Sequence, residues 1–308
     1  MTSDSRQINT VEDVAAGFER FGYITDRALA TAVFLTLKLH KPILIEGPAG
    51  VGKTEVARVL ASLLATTLIR LQCYEGLDAN STIYEWNYQK QLLAIKIQEG
   101  PDRTIEDKEA HIFSAAFLLE RPLLQSITAR DAAPVLLIDE IDRSDEAFEA
   151  FLLELLSDFQ ITIPEMGTIK ATHPPYVILT SNRTRELGDA LKRRCLYHWI
   201  SYPSLEKEMR IVHSHLPEIS RELSGQVVRF VQTVRELRLA KRPGIVETLD
   251  CASAMACLGK ERLDAEAIEQ TLGCVLKSVE DFTKVKPDEL ERAINAAGHL
   301  ESIPGGAA

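Results

Sequence analysis

The chain has 308 residues, a length that suits one large domain or two smaller ones. Apolar residues make up 45% and charged residues 26%, as in an ordinary globular protein. The formal charge of −10 argues against a protein that wraps nucleic acid, because such proteins usually carry a basic face. No run of about eighteen apolar residues occurs, which predicts no membrane span, and the polar start is unlike a secretory signal.

Cysteine usage bears on the compartment. The five cysteines are odd in number, widely spaced and free of any C-x-x-C pair. Such usage is typical of reduced thiols, so we expect a cytoplasmic protein. The cysteines are Cys73, Cys195, Cys251, Cys257 and Cys274.

The first element with a chemical signature is an apolar strand near Ile43–Glu46, followed by the glycine-rich stretch "GPAGVGKT" and an apolar helical face. Glycines let backbone amides point at phosphate oxygens, and the helix N-terminus adds a positive dipole end. We expect Lys53 to reach the β- and γ-phosphates of a nucleotide and the Thr54 hydroxyl to ligate Mg²⁺. The predicted nucleotide-binding residues are Gly47, Pro48, Ala49, Gly50, Val51, Gly52, Lys53, Thr54 and Glu55.

A second apolar strand, near Val135–Ile138, ends in the acidic pair Asp139-Glu140. In nucleotide hydrolases with a phosphate loop, an acid at this position holds Mg²⁺ indirectly, so Asp139 is predicted to be the metal-side acid, acting through water. A carboxylate just beyond can orient and deprotonate the attacking water, which makes Glu140 the predicted catalytic base. This second acid favours hydrolysis over phosphoryl transfer to a small molecule. The structural alternative is a solvated acidic loop after a strand.

The region after the acidic pair predicts a helix, a hairpin and a further strand. Ser144 can cap the helix, and Pro164–Gly167 reads as the turn between two β-prone runs. The strand near Tyr176–Thr180 leads into Asn182. Because polar residues at carboxyl ends of strands face the ligand crevice of an open α/β sheet, Asn182 is expected to bind the attacking water or the γ-phosphate.

Together these residues resemble an AAA+ ATPase. "GPAGVGKT" is similar to the Walker A motif, "VLLIDE" to Walker B and "LTSN" to sensor 1. Longer stretches resemble the MoxR family, in the subgroup that contains CoxD, an ATPase linked to maturation of carbon monoxide dehydrogenase. These stretches are "YEGLDANSTIYEWNYQKQLL", "DEIDRSDEAFEAFLLELLSDFQITIPEMGTI", "TSNRTRELGDALKRRCLYHWISYP" and "RPGIVETLDCASAM", and the resemblance spans roughly Phe21 to Lys260.

The resemblance implies a homo-oligomer, a six-membered ring that uses ATP and Mg²⁺. One subunit then sends an arginine into the neighbour's site; Arg193 and Arg194 are the candidates, and Arg194 matches the family position better. The alternative is that both neutralise a helix C-terminus. Arg143 could face the neighbour or form a surface ion pair. The sensor-2 position falls on Lys241 or Arg242, before a proline that can open a helix, and the choice between them stays open.

The resemblance also implies two insertions. The segment from Tyr74 to Lys96 corresponds to a helix-2 insertion that projects toward the ring pore, although aromatics such as Trp86 usually pack in a core. The hairpin between Walker B and sensor 1 corresponds to the pre-sensor-1 insertion. Its tip around Glu165 and Met166 is the other candidate contact surface for a client.

The predicted fold class is α/β: a P-loop AAA+ core with a five-stranded parallel sheet, followed by a small all-α lid. The predicted boundaries are an N-terminal segment at residues 1–20, the core at 21–203 and the lid at 204–308. His213 and His215, in the lid, do not predict a metal site because residues two apart on a helix face different ways. The predicted strands lie near Ile43–Glu46, Leu68–Gln72, Val135–Ile138, Tyr176–Thr180 and Leu196–Ile200.

The resemblance favours a chaperone that couples ATP hydrolysis to remodelling of a protein client. Its usual co-worker is a von Willebrand factor A domain protein, and the client is a metalloenzyme, here a molybdenum hydroxylase such as carbon monoxide dehydrogenase. The alternative is a DNA-acting AAA+ motor, where pre-sensor hairpins also occur, although the acidic charge counts against it. A small-molecule kinase and a scaffold without turnover are further classes, which Glu140 and Asn182 disfavour.

Overall fold

The computed structural model describes residues 8–97, 111–164 and 166–298. Contacts divide the chain into two compact units. The first contains Thr25–Gly47 and Lys53–Trp199, together with the described residues up to Phe21. The second contains the described residues from Ile200 onward, together with Gly22–Ile24 and Pro48–Gly52.

The described secondary structure alternates strands and helices up to Trp199 and is helical beyond it. The strands are β1 Ile43–Glu46, β2 Leu68–Gln72, β3 Tyr84–Trp86, β4 Leu118–Glu120, β5 Val135–Asp139, β6 Gln160–Ile163, β7 Gly167–Lys170, β8 Tyr176–Ser181 and β9 Leu196–Trp199. The α-helices are α1 Val11–Arg20, α2 Arg27–Leu39, α3 Lys53–Leu64, α4 Ala79–Ile83, α5 Tyr88–Ile97, α6 Pro122–Thr128, α7 Glu146–Asp158, α8 Asp189–Arg194, α9 Leu205–His215, α10 Arg221–Glu236, α11 Ile245–Cys257, α12 Ala265–Val275, α13 Val279–Lys284 and α14 Pro287–Gly298.

A five-stranded sheet of order β2-β5-β8-β1-β9 forms the centre of the first unit, and its pairs are all parallel. The fully buried strands β1 and β5 read as apolar runs because helices cover both faces of such sheets. The register sets Gln72 beside Asp139 and Glu46 beside Ser181. Polar side chains at the carboxyl ends therefore meet along one edge, and the predicted five-stranded parallel core is confirmed.

Capping of α7 differs from the sequence-based expectation, which assigned it to Ser144. The Asp145 side chain accepts a 2.8 Å bond from Phe148 N and is the N-cap. Ser144 instead closes the preceding 3-10 turn, Ile141–Arg143, and its hydroxyl donates to Ile141 O at 2.8 Å. Because that turn ends at Ser144, the helix begins one residue later than predicted.

Two antiparallel pairs lie outside the main sheet. Strand β3 lies within the predicted helix-2 insertion, Tyr74 to Lys96, but its partner β4 lies beyond the predicted end; β6 and β7 form the predicted hairpin. Trp86 is 7% exposed and packs edge-on against Tyr84 and Phe113, which places it in a core rather than on a free surface. The hairpin tip residue Glu165 lies outside the described residues, whereas Met166 N donates to Ile163 O at 3.1 Å.

The N-terminal helix α1 belongs to the first unit. Val14 and Phe18 are fully buried, and a Cβ at Gly17 would lie 2.6 Å from Leu63 Cδ1. Helix α1 therefore packs closely against α3 within the first unit. It is amphipathic, and Thr10 caps its start.

The second unit is built from α9 to α14 around an apolar core that includes Val227, Val231 and Met255. The stretch that follows Asp264 forms two helices, because Ser278 caps a new start at Val279. Pro243 does not open α11: Gly244 is the N-cap, and the Glu247 carboxylate accepts from Gly244 N at 2.8 Å. No helix among the described residues has the length and apolarity needed to cross a membrane.

Candidate active site

Lys53 is the first residue of α3, at the end of the glycine-rich loop that follows β1. Its side chain is 7% exposed, and Nζ donates to Gly47 O at 2.8 Å and to Asn182 Oδ1 at 2.7 Å. Burial lowers the pKa of Lys53, and the nearby carboxylates of Asp142 and Asp139 oppose that shift. The ammonium group therefore lies where the loop and the carboxyl end of β8 converge.

The middle of the loop has the backbone conformation that glycine permits. Gly50 and Gly52 have φ values of +76° and +87°, which side chains other than glycine adopt at a cost. Within the second unit, Ile245 N donates to Gly50 O at 2.8 Å. A Cβ on Gly244 would meet Gly50 O at 2.7 Å, so this approach requires glycine at position 244.

Both sensor-2 candidates, Lys241 and Arg242, line a cavity of about 430 Å³ in the second unit, together with Ala49 and Gly50 of the loop. Both side chains are exposed. The Asp281 carboxylate fixes the backbone at residues 240 and 241, because it accepts from Ala240 N at 2.7 Å and from Lys241 N at 3.0 Å. These backbone bonds lower the pKa of Asp281, the bond from Ala240 contributing most. The further lining residues are Tyr202, Ala240, Pro243, Glu247, Val275 and Lys277.

Asp139 ends β5 and is 2% exposed. Its Oδ1 accepts from Thr54 Oγ1 at 3.0 Å and from Thr180 Oγ1 at 2.5 Å. Its Oδ2 accepts from Arg70, at 3.0 Å from Nε and 2.5 Å from Nη2. A buried carboxylate beside a threonine hydroxyl supplies the hard oxygen ligands that Mg²⁺ prefers, so Thr54 and Asp139 fit that ion.

Glu140 follows directly in the left-handed region, with φ 55° and ψ 49°. Its amide donates to Thr180 Oγ1 at 3.0 Å. Its carboxylate accepts from Asn182 Nδ2 at 3.1 Å and from Gln72 Nε2 at 3.0 Å, and it forms an ion pair with Arg143, whose Nε lies 2.9 Å away. Three side chains therefore fix the predicted base, and Asn182 joins it to the phosphate-loop lysine.

Asp142 is 3% exposed and holds the backbone at Asn182, the predicted sensor-1 residue. Its carboxylate accepts from Asn182 N at 3.2 Å, from Thr184 N at 2.8 Å and from Thr184 Oγ1 at 2.7 Å. These bonds hold the backbone beyond β8, which aims the Asn182 side chain at Lys53 and Glu140.

The predicted neighbour-facing arginines, Arg193 and Arg194, lie exposed at the end of α8. Arg194 Nε donates to Ser157 Oγ at 2.7 Å and its Nη1 to Ala190 O at 3.1 Å. The Arg193 side chain makes no hydrogen bond or ion pair with another described residue. Neither makes a described contact with Glu140 of its own chain, whereas Arg143 forms an ion pair with it.

Four polar residues of this network were not predicted from the sequence: Arg70, Gln72, Thr180 and Asp142. A signal for the first two was present, because Arg70 and Gln72 alternate with apolar residues in β2 and so share one face. Buried Thr180 and Asp142 carried no comparable signal, since their roles depend on contacts across the sheet.

The two histidines of α9, His213 and His215, make their described contacts within the second unit. His213 Nε2 contacts Ser224 Oγ at 3.2 Å, and His215 Nδ1 contacts Ile211 O at 3.0 Å. Over residues 8–97, 111–164 and 166–298, no group of three or more histidine, cysteine or acidic side chains could hold a metal ion. All five cysteines are free thiols, and burial raises the pKa of Cys73 to about 12.

Comparison with known families decides the broad assignment. The family described as AAA domain (dynein-related subfamily) matches residues 42–195, which is half of the chain and includes four of the five strands of the parallel sheet, β1, β2, β5 and β8. The chain belongs to this AAA family. As an AAA ATPase it hydrolyses ATP and uses Mg²⁺. No protein of curated function matches it.

Several solved structures are similar to this chain at low sequence identity. One mutant of RuvB from Thermotoga maritima is 18% identical, covering 83% of this chain and 70% of its own, with a TM-score of 0.49. The T. maritima RuvB Holliday junction branch migration motor is also 18% identical, covering 80% and 66%, with a TM-score of 0.45. At these values the similarity carries no argument about the substrate or partner of this AAA ATPase.

Proposed function

We propose that this AAA ATPase is a MoxR-type chaperone of the CoxD-like subgroup, which couples ATP hydrolysis to remodelling of a protein client. The observation that carries the proposal is the pair of insertions implied by the MoxR resemblance. The β3–β4 segment follows β2, and the β6–β7 hairpin separates the acidic pair from the sensor-1 strand. A minimal nucleotide-hydrolysing core needs neither element.

The hydrolytic roles follow the contacts of the site. Gly47 to Glu55 bind the nucleotide, with Lys53 at the β- and γ-phosphates. Mg²⁺ would be held by Thr54 directly and by Asp139 through water, and it would neutralise phosphate charge. Glu140 takes the proton of the attacking water. Asn182, whose side-chain amide bonds both Glu140 and Lys53, orients that water. Lys241 or Arg242 contacts the nucleotide from the lid side.

The working assembly is a homo-oligomer, a hexameric ring in which Arg194, or Arg193, stabilises the γ-phosphate of the neighbouring copy. Exposure of both side chains on α8 supports this role. An arginine supplied by a partner is worth about 10³–10⁵ in rate in GTPases, so Arg194→Ala is expected to abolish most turnover while nucleotide binding persists. The boundaries proposed for the functional parts remain 1–20, 21–203 for the core and 204–308 for the lid.

The proposed co-worker is a von Willebrand factor A domain protein, and the proposed client is a molybdenum hydroxylase such as carbon monoxide dehydrogenase, matured in the cytoplasm. The free cysteines fit a reducing compartment. The test is reconstitution with a purified von Willebrand factor A domain protein and an immature carbon monoxide dehydrogenase. Wild-type protein with ATP is expected to activate the immature hydroxylase, and Glu140→Gln protein is expected to bind the complex without activating it.

A DNA-acting motor is the competing outcome. The same preparations are titrated with a fluorescent DNA duplex at several salt concentrations. Micromolar or tighter binding that weakens steeply with salt, together with DNA-stimulated ATP hydrolysis, would replace the chaperone proposal, because phosphate contacts produce that salt dependence. The formal charge of −10 leads us to expect neither effect.

A further inference from the structure

Arg70 makes contacts that the roles above leave unused. It lies on β2, where the register places it beside Leu137, two residues before Asp139. Its Nε and Nη2 both donate to Asp139 Oδ2, and Nη2 also donates to Gln72 Oε1 at 2.6 Å. The side chain is 53% exposed, while that of Asp139 is 4% exposed, so only one end of the ion pair is shielded from water.

The Gln72 amide extends these contacts to the catalytic base. Its oxygen accepts from Arg70, and therefore its NH₂ group is the end left to donate. That group donates to Glu140 Oε2 at 3.0 Å. A continuous chain of hydrogen bonds thus joins the metal-side acid Asp139 to Glu140 through Arg70 and Gln72, in parallel with the backbone that links the two acids.

We propose that Arg70 is a positioning residue for hydrolysis, which orients Glu140 through Gln72 and balances the charge of Asp139. The guanidinium group is a planar fork with several donors, so one side chain can serve a carboxylate and an amide oxygen together. The Gln72 NH₂ group also donates to Cys73 O at 3.4 Å, a long bond that holds the amide less firmly. Without Arg70 the amide loses the 2.6 Å bond at its oxygen and can turn that oxygen toward the Glu140 carboxylate. The amide oxygen then repels the Glu140 carboxylate and displaces it from its position for catalysis.

The charge of Arg70 has a separate consequence. Arg70 supplies a positive charge directly against the buried carboxylate expected to help hold Mg²⁺. Removing that charge leaves the site more negative, which strengthens its attraction for a divalent cation. A substitution that only loosened the fold would weaken Mg²⁺ binding instead. The direction of the Mg²⁺ effect therefore separates a positioning role from a structural one.

The test uses full-length protein with Arg70→Met, which keeps a long side chain but removes the charge and the donors. Turnover at saturating ATP and Mg²⁺ is expected to fall about 10- to 100-fold, the loss typical of a misplaced catalytic group. Affinity for a nonhydrolysable ATP analogue is expected to stay close to wild type. The Mg²⁺ concentration for half-maximal analogue binding is expected to fall.

Arg70→Lys is the matched variant, because it keeps the charge but cannot span both partners. Its Mg²⁺ requirement is expected to match wild type, while its turnover stays low. Wild-type turnover in Arg70→Met would overturn the inference, as would full turnover in Arg70→Lys or parallel loss of turnover and analogue binding.

The inference rests on the role proposed for Glu140, so Glu140→Gln is assayed alongside. Turnover by Glu140→Gln at the wild-type rate would remove the proposed base itself. An inactive Glu140→Gln beside a fully active Arg70→Met would overturn the Arg70 inference alone.

Discussion

Thr180 is the single hydroxyl that contacts both predicted acids among the described residues, so Thr180→Val tests how the site is held together. The hydroxyl donates to Asp139 Oδ1 at 2.5 Å and accepts from Glu140 N at 3.0 Å. Thr180 is 1% exposed. Valine has nearly the same shape, suits a β-strand and leaves no cavity, and therefore the change isolates the two hydrogen bonds.

The expected magnitude follows from those bonds. A hydrogen bond to a charged group contributes about 1.5–3 kcal/mol, and an amide left without its acceptor costs about 1–3 kcal/mol. Glu140 is partly exposed, which favours the lower end of the second range. We expect Thr180→Val to lose about 2–4 kcal/mol of unfolding free energy and to slow turnover, because Glu140 loses a restraint on its left-handed backbone.

The assay is urea unfolding combined with steady-state phosphate release. Thr180→Ser is the control, since it keeps the hydroxyl and loses one methyl, at about 0.8 kcal/mol of apolar burial. Turnover in the serine variant is expected to stay close to wild type. Equal unfolding free energies and equal turnover in the two variants would refute the reasoning, since the hydroxyl would then contribute nothing.

Two further predictions concern the second unit. Gly244→Ala would place a Cβ 2.7 Å from Gly50 O, so it is expected to displace the glycine loop and weaken ATP-analogue binding; the control Gly273→Ala has no atom within 4 Å, and equal calorimetric affinities would contradict the prediction. Hydrogen bonds lower the pKa of Asp281 from 3.8. We therefore expect wild type to be more stable than Asp281→Asn, with the full difference in unfolding free energy present above about pH 4. That difference is expected to vanish as the pH falls through the lower pKa of Asp281 in the folded protein. If the urea midpoints of wild type and Asp281→Asn differed by the same amount at every pH, the prediction would be wrong.

The strands β1, β5 and β8 were predictable because each is a buried apolar run that stops at a polar residue. Strands β1 and β2 have the predicted bounds, and β5 and β8 each extend one residue further, through Asp139 and Ser181. Polar residues at these ends keep extended backbone because neighbouring strands still pair with them. The capping errors at Ser144 and Pro243 arose where a neighbouring residue competed for the same cap.

The sequence predicted only those site residues that belong to local motifs. Lys53, Asp139, Glu140 and Asn182 follow recognisable strand ends, and the structure brings their side chains together. Thr180 contacts two of them, Asp139 and Glu140, but in the sequence nothing distinguishes it from other threonines. Its importance depends on the side-by-side placement of β5 and β8, which no local pattern specifies.

The central claim is that ATP drives a ring whose sites are shared between copies. Its most direct test is the native mass of the Glu140→Gln protein at micromolar concentration, with and without Mg-ATP. That substitution should retain bound ATP, so the account predicts a hexamer that forms or tightens when ATP is added. A monomer under both conditions would contradict the ring and the arginine supplied by a neighbour.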